Sequence, residues 1–525
     1  MTSDPAAALT ARDGVLEVLR AHQVRQMFGN PGTTELALVS HLPDDLAYVL
    51  CLQESIAVSA ATGQALIGGR TAVANLHARP GLGHAIGAID GARQMQAPLV
   101  LLVGQQHSGH LHRDPLLSGD LVAIAGPVTK WAHQPGRPAD VPQAVERAFR
   151  IAAAPPFGPT LVAVPMDFWD QPARRAEVAE VSGTATPSVE AVAGLRYRAR
   201  SARSPALVTG DGLRDERDWD AAVAVAGELD LVVYSAPTGT QPGFPTGHPR
   251  HAGVLPLSAT AVRAALRGHD LVIVAGAPVF TMYLHDADDL VPPGTTVVSL
   301  SADIADVAAA PAAAIILAPP GETLAALAGG VPEGGHLRPR EAVAPPAAPA
   351  DLRLATVLEQ VAARLPLDAV VIDESMTSGA ALRGAVDVTG PRRFLRTSNG
   401  VLGTGLPAAV GAAMVPDAGP VVAFVGDGSL MFAPQALWTA ARWNLDITVV
   451  VLDNGGYESL RGYDRRTMGE AAVPGRYDLP GIDVASLSAA LGVPARAVTD
   501  PADLPEALDA TFGMAGPRLV VVAIQ

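Results

Sequence analysis

One cysteine, Cys51, and one lysine, Lys130, are all that this 525-residue chain has of either residue. A lone thiol excludes an internal disulfide and any Cys-x-x-Cys redox or zinc site, which suits a reducing compartment. A lone lysine removes most Schiff-base chemistry, including a pyridoxal phosphate anchor. Aromatic residues make up 4% of the chain, so its cores must be built from small aliphatic side chains. Apolar runs are broken by Gly, Pro or charge before they reach the length of a membrane span. The first residues lack a basic segment followed by an apolar one, so no secretory leader is expected and the chain reads as cytoplasmic. Cations are scarce as well. The 37 Lys and Arg against 52 Asp and Glu leave a charge of −15, which disfavours nucleic acid as a partner. There is no GxxxxGKS or GxxxxGKT run, so a P-loop nucleotide site is not expected.

What is present is a long series of short apolar runs that end in turn residues. Examples are Thr71–Leu76, Pro98–Val103, Thr160–Val164, Leu271–Ala275, Val421–Val425, Ile447–Leu452 and Leu519–Ile524. Ala-rich stretches with helical spacing lie between them. Strands apolar on both faces that alternate with helices mean parallel sheets covered on both sides, an α/β fold. Two stretches read as linkers, Asp170–Gly194 and the Pro- and Ala-rich Val331–Asp351. They divide the chain into three domains, 1–175, 190–335 and 350–525, each of ordinary domain size. The first and third close on similar strands, Gly158-Pro159-Thr160-Leu161-Val162 and Gly516-Pro517-Arg518-Leu519-Val520, which suggests a duplicated fold.

The most informative pair is Asp427 and Asn454. Asp427 follows an apolar run inside Gly426-Asp427-Gly428-Ser429, and Asn454 follows the next one inside Asp453-Asn454-Gly455-Gly456-Tyr457. Two hard oxygen ligands at the carboxyl ends of neighbouring parallel strands suit Mg²⁺, with a backbone carbonyl near Gly456 as a third. Gly426 and Gly428 let the backbone approach a diphosphate, and Ser429 with the helix start behind it offers donors to anionic oxygen. Gly403-Thr404-Gly405-Leu406-Pro407-Ala408 fits the loose dinucleotide pattern. However, Pro407 falls inside it, and no acid stands at the required distance beyond.

These motifs join others nearer the start: Phe28-Gly29-Asn30-Pro31-Gly32-Thr33-Thr34-Glu35, Leu52-Gln53-Glu54-Ser55, Asn75-Leu76-His77-Ala78-Arg79-Pro80-Gly81 and Gly104-Gln105-Gln106. Together they resemble the superfamily of thiamin-diphosphate-dependent 2-oxo-acid decarboxylases and acetohydroxyacid synthases, with the nearest likeness to benzoylformate decarboxylases. The resemblance spans nearly the whole chain and is weakest in its centre. It implies three doubly wound domains, of which the first binds the cofactor's pyrimidine, the second is structural and the third binds diphosphate and Mg²⁺. It implies a homodimer or homotetramer with active sites shared between subunits. The activity implied is decarboxylation of a 2-oxo acid to an aldehyde, with acyloin-forming carboligation as the alternative.

Residue by residue, the resemblance makes Glu54 the carboxylate on the pyrimidine ring and His77 a proton-transfer group. Leu402 becomes the prop that holds the cofactor bent, and the Gly400 carbonyl the acceptor for its amino group. Glu374, Ser375, Gly455 and Tyr457 fall among the cofactor contacts. Thr33 matches a serine that binds the substrate carboxylate, although a helix N-cap is a rival role for it. Three departures concern the substrate. Tyr283 occupies the slot of a second active-site histidine, and His285, two residues on, is the alternative to it. Arg396 stands where a phenylalanine is expected, and Ser459 and Tyr463 fill other pocket slots. A cation and hydroxyls suit a more polar or anionic 2-oxo acid, unless Arg396 points away and its stem merely covers apolar surface. The run His107-Ser108-Gly109-His110-Leu111-His112 reads as a strand-end loop and not as a metal site.

Overall fold

The structure, a computed structural model, describes residues 9–524 except 180–184, 284, 287–288, 309, 331–343, 398–399 and 470–472. Most of the expected Val331–Asp351 linker therefore lies outside the described residues. The apolar runs become strands of three six-stranded sheets in which every strand pair is parallel.

The first sheet holds β1 (Gln26–Asn30), β2 (Ala47–Leu50), β3 (Ala72–Leu76), β4 (Leu99–Gln105), β5 (Trp131–His133) and β6 (Pro159–Pro165), in the order β2-β1-β3-β4-β6-β5. The central sheet holds β7 (Pro205–Thr209), β8 (Val232–Ser235), β9 (His251–Val254), β10 (Leu271–Ala275), β11 (Thr296–Ser301) and β12 (Ala314–Leu317), in the order β12-β11-β10-β7-β8-β9. The last sheet holds β13 (Val370–Glu374), β14 (Phe394–Arg396), β15 (Val421–Gly426), β16 (Ile447–Asp453), β17 (Ala495–Val498) and β18 (Arg518–Ala523), in the order β14-β13-β15-β16-β18-β17. Strand for strand, the first and last orders are the same, so the fold is duplicated around a differently wound centre.

In a doubly wound sheet, ligands bind beyond the carboxyl ends of the strands where the winding reverses. In the first sheet that point lies between β1 and β3, and in the last between β13 and β15. Register makes the second edge concrete. Glu374 lies beside Val425, and Gly426 beside Leu452, so the residues that follow β13, β15 and β16 emerge together.

The last sheet is buried on both faces, and β15 shows why its sequence is apolar throughout. Val421, Ala423 and Val425 join a core shared with the first domain, while Val422 and Phe424 join one shared with the central domain. The first of these cores is sealed by two helices, Glu54–Gly68 and Gly405–Ala413. A Cβ on Gly63 would fall on the Ala408 carbonyl, and one on Gly411 on the Ala60 carbonyl, so the two backbones touch. The pairing of 63 with 408 and 60 with 411 makes the helices antiparallel.

Candidate active site

Two half-sites occupy the two reversal points. At the first, the turn after β1 brings Glu35 under His77, which follows β3. Glu35 is buried, and its carboxylate accepts the Gly32 N–H at 2.8 Å and the Thr34 hydroxyl, and meets His77 Nδ1 at 3.0 Å. The Thr34 hydroxyl also lies 3.1 Å from that nitrogen. Hydrogen bonding to Glu35, against the opposing effect of burial, raises the His77 pKa above its ordinary value. With Nδ1 committed to the carboxylate, Nε2 is the nitrogen left to exchange a proton. Glu35 and Thr34 are functional candidates that the motif reading passed over. The signal was an acid three residues beyond a Pro-Gly turn, beside a threonine. Thr33, the residue singled out instead, is exposed. Its rival role as an N-cap is not realised, because Glu35 precedes the short helix Leu36–Val39 and no side chain caps it.

Glu54 opens the helix Glu54–Gly68, where unpaired N–H groups favour a carboxylate. Gln53 caps that helix through the N–H groups of Ser55 and Ile56, at 2.7 and 3.3 Å. Glu54 is 6% exposed, and His84 Nδ1 stands 3.3 Å from its Oε2. A Cβ on Gly81 would lie 2.9 Å from Glu54 Oε1 and 3.3 Å from the His77 Cβ. Glu54 and His77 are therefore close neighbours, and only glycine fits between them.

The second half-site is a cleft lined by Ser375–Ser378, Leu402, Gly426–Ser429, Leu452, Asn454 and Gly456–Ser459. Burial, and then the neighbouring Asp453 charge, raise the Asp427 pKa above the usual carboxylate range. The Asn454 Oδ1 is buried and has no hydrogen-bond partner among the described residues. A buried amide oxygen with no donor, beside a carboxylate disfavoured in its charged form, fits a cation: Mg²⁺ would supply what both groups lack. Among the described residues no three His, Cys, Asp or Glu side chains gather to hold a metal unaided. The remaining ligands there would be the Gly456 carbonyl and phosphate oxygens. Gly428 is needed for space, since a Cβ would lie 2.7 Å from the Tyr457 ring. Gly455 has φ +69° and is exposed, as is Gly400 at φ +71°.

Four residues expected at the site are placed differently. Glu374 does not line the cleft. Its two oxygens accept the N–H groups of Gly403 and Gly405, at 2.6 and 2.5 Å, so a buried internal carboxyl occupies the glycine turn that resembled a dinucleotide loop. Burial pushes its pKa up to about 8 against the pull of those N–H donors. It thereby fixes the turn that presents Leu402. Arg396 turns to the central domain, where Nη1 donates to the Pro237 carbonyl at 3.0 Å, and burial lowers its pKa despite Asp373 and Asp211. Its guanidinium thus makes a domain contact, between the Pro237 carbonyl of the central domain and the charges of Asp211 there and Asp373 on the neighbouring β13. Tyr283, 77% exposed, and His285, also exposed, do not line the cleft within one chain. Ser459 lines it, and Tyr463 lies four residues on along the same face of the helix Glu458–Met468. His107, His110 and His112 are exposed on a 3₁₀ turn over Ser108–Arg113 and its flank.

Known proteins were compared with this chain. Residues 9–124 match the thiamine pyrophosphate enzyme N-terminal TPP binding domain, 197–327 the central domain and 377–522 the C-terminal TPP binding domain. Benzoylformate decarboxylase from Pseudomonas aeruginosa is 33% identical over 98% of this chain and 99% of its own. An acetolactate synthase isozyme 1 large subunit from Escherichia coli is 24% identical over 100% and 95%. The solved thiamine diphosphate-dependent 4-hydroxybenzoylformate decarboxylase from Rhodococcus jostii superposes with a TM-score of 0.91 at 33% identity, covering 98% of this chain and 99% of that one. With matches across all three domains and over nearly its full length, the chain belongs to the thiamin-diphosphate-dependent enzymes of the 2-oxo-acid decarboxylase family.

Proposed function

We propose that the protein, with thiamin diphosphate and Mg²⁺, decarboxylates an aryl 2-oxo acid of the benzoylformate type, or a more polar analogue, to an aldehyde and CO₂. The observation that carries this reading is the Glu35–His77 pair beside Glu54. A decarboxylase must protonate the carbon that loses CO₂, and an imidazole whose protonated form is favoured supplies that proton. A synthase that passes the same carbon to a second carbonyl has less use for it.

Thiamin diphosphate, when bound, supplies the carbon nucleophile and the electron sink for loss of CO₂. The chain does the rest. Asp427, Asn454 and the Gly456 carbonyl would hold Mg²⁺. Ser375, Gly426, Gly428 and Ser429 would hold the diphosphate, with Leu402, Gly400, Gly455 and Tyr457 shaping the channel for the rest of the cofactor. Glu54 would hydrogen-bond the pyrimidine nitrogen. His77 would deliver its proton from Nε2, and Thr33 would take the substrate carboxylate. Hydroxyls at Ser459 and Tyr463 suit a hydroxylated aryl group, and the name of the Rhodococcus relative supports that class. Tyr283 or His285 would approach the site from another element or another copy.

Several observations support a homodimer or a larger homo-oligomer with shared sites. Every residue lining the diphosphate cleft comes from the last domain. The antiparallel helix pair sends Glu54 to one end and the Leu402 turn to the other. Apolar side chains are exposed on both half-sites, among them Leu52 and Leu116 on the first domain and Met376 and Phe432 on the last.

The acyloin-forming alternative has relatives on its side too, a putative acetolactate synthase large subunit of Mycobacterium tuberculosis at 33% identity and the Escherichia coli isozyme at 24%. The test is to give the loaded enzyme benzoylformate, 4-hydroxybenzoylformate and aliphatic and dicarboxylic 2-oxo acids. Aldehyde equimolar with CO₂ from the aryl acids is expected. No CO₂ from any acid would sink the reading, and acyloin in excess of aldehyde would favour the alternative.

A further inference from the structure

The metal loop is held by a residue outside the set that touches the cofactor. Arg461, on the second turn of the helix Glu458–Met468, reaches back under the loop. Its Nη1 donates to the Asn454 carbonyl at 3.0 Å and its Nη2 to the Gly455 carbonyl at 2.7 Å. Nε donates to Asp478 at 2.9 Å, and Glu458 lies 3.6 Å from Nη1. The loop is tied to the same distant segment through its backbone. The Tyr457 N–H bonds the Tyr477 carbonyl, the Leu479 N–H bonds the Gly455 carbonyl, and Gly456 bridges Asp478. A Cβ on Gly456 would fall on the Arg461 guanidinium, so that glycine makes room for the clamp.

We propose that Arg461 is a positioning residue for the cation site. By fixing the carbonyls of Asn454 and Gly455 outward, it turns the Asn454 amide oxygen and the Gly456 carbonyl toward the metal. A guanidinium near a Mg²⁺ site is costly unless neutralised, and Asp478 and Glu458 neutralise it. Because Arg461 sits on the helix that carries Ser459 and Tyr463, the clamp also joins the metal loop and the substrate wall into one unit. The inference rests on the cofactor reading above.

The experiment titrates Mg²⁺ into full-length protein with saturating thiamin diphosphate, followed by tryptophan fluorescence and calorimetry. Arg461→Met is expected to weaken Mg²⁺ binding by about 10–100-fold, with the melting temperature of the cofactor-free protein unchanged. Arg461→Lys, which can satisfy one carbonyl, should recover part of that loss. Asp478→Asn, which strips the neutralising charge but keeps the clamp, should weaken Mg²⁺ by a smaller factor that shrinks as salt is raised. Unchanged Mg²⁺ affinity in a folded Arg461→Met protein overturns the proposal. So does a loss that Lys cannot recover and that tracks a lowered melting temperature. Wild-type protein that binds neither thiamin diphosphate nor Mg²⁺ overturns the cofactor reading itself, a result separable from any ratio between variants.

Discussion

At the scale of single residues, two buried carboxylates do opposite work. Glu35 favours the charged form of its partner, His77. Replacing it with Gln leaves a hydrogen bond and removes the charge, so the His77 pKa falls. The protonated fraction is then lost at lower pH, and the alkaline limb of the kcat profile should move down the pH scale. A fall in kcat of about 10–100-fold at neutral pH is expected, less than loss of the acid altogether; an unmoved limb would contradict the role given to Glu35. Asp427, by contrast, is held unfavourably in the metal-free protein by burial and by Asp453. A carboxyl whose folded pKa is raised contributes stability below its unfolded pKa and loses it as pH rises through the folded value. Asp427→Asn should therefore raise the melting temperature of the metal-free protein by roughly 1–3 °C at neutral pH, with no gain in acid. The same variant should lose the stabilisation that Mg²⁺ with thiamin diphosphate gives the wild type. Calorimetry with and without the ligands checks both halves. Asp427 and Asn454 were legible in the sequence because each sits next to glycine at the end of an apolar run, and Glu54 and His77 because the motifs around them carry the family resemblance. Glu35 was less so, since its partner lies 42 residues away and nothing local announces it.

At the scale of elements, the long apolar runs were readable and the short edge strands were not. β13, β15, β16 and β18 sit where runs rich in Val, Ile and Leu placed them, because a strand buried on both faces is apolar along most of its length, with polar residues near its ends. Phe394–Arg396 and Ala495–Val498 carry Arg, lie at the two edges of the last sheet and pair only because a neighbouring strand offers its edge. That is a tertiary fact and leaves little local trace. Arg396 shows the consequence. Its residue type suggested a polar pocket, while its direction was decided by the Pro237 carbonyl of another domain. The helix pair Glu54–Gly68 and Gly405–Ala413 makes a sharper prediction. Ala60 and Gly411 meet backbone to backbone, and a carbonyl cannot swing aside as a side chain can. Gly411→Ala should cost about 1–3 kcal/mol, read by chemical denaturation. A neutral result would mean that the two helices can part without loss.

At the scale of the molecule, the arrangement predicts complementation between two inactive chains. If Glu54 of one copy serves Asp427 of another, mixed oligomers of Glu54→Gln and Asp427→Asn chains contain one doubly damaged site and one intact site per pair. Random pairing of equal amounts should restore about a quarter of wild-type activity, measured after co-expression. No restoration would place each complete site within one chain. The sequence by itself determined the α/β class and the duplication, because apolar strand runs are local patterns and the first and last domains close on similar strands, and it pointed to the cofactor through motifs that resemble those of thiamin-diphosphate enzymes. Only the tertiary structure decided that Glu35 meets His77, that Glu374 accepts from the Gly403–Gly405 turn, that Arg396 donates to the Pro237 carbonyl of the central domain and that Arg461 ties the carbonyls of Asn454 and Gly455. Each of these depends on which side chains meet across long stretches of chain or between domains. Such a meeting is set by packing direction and burial, for which the order of residues along the chain carries no local mark.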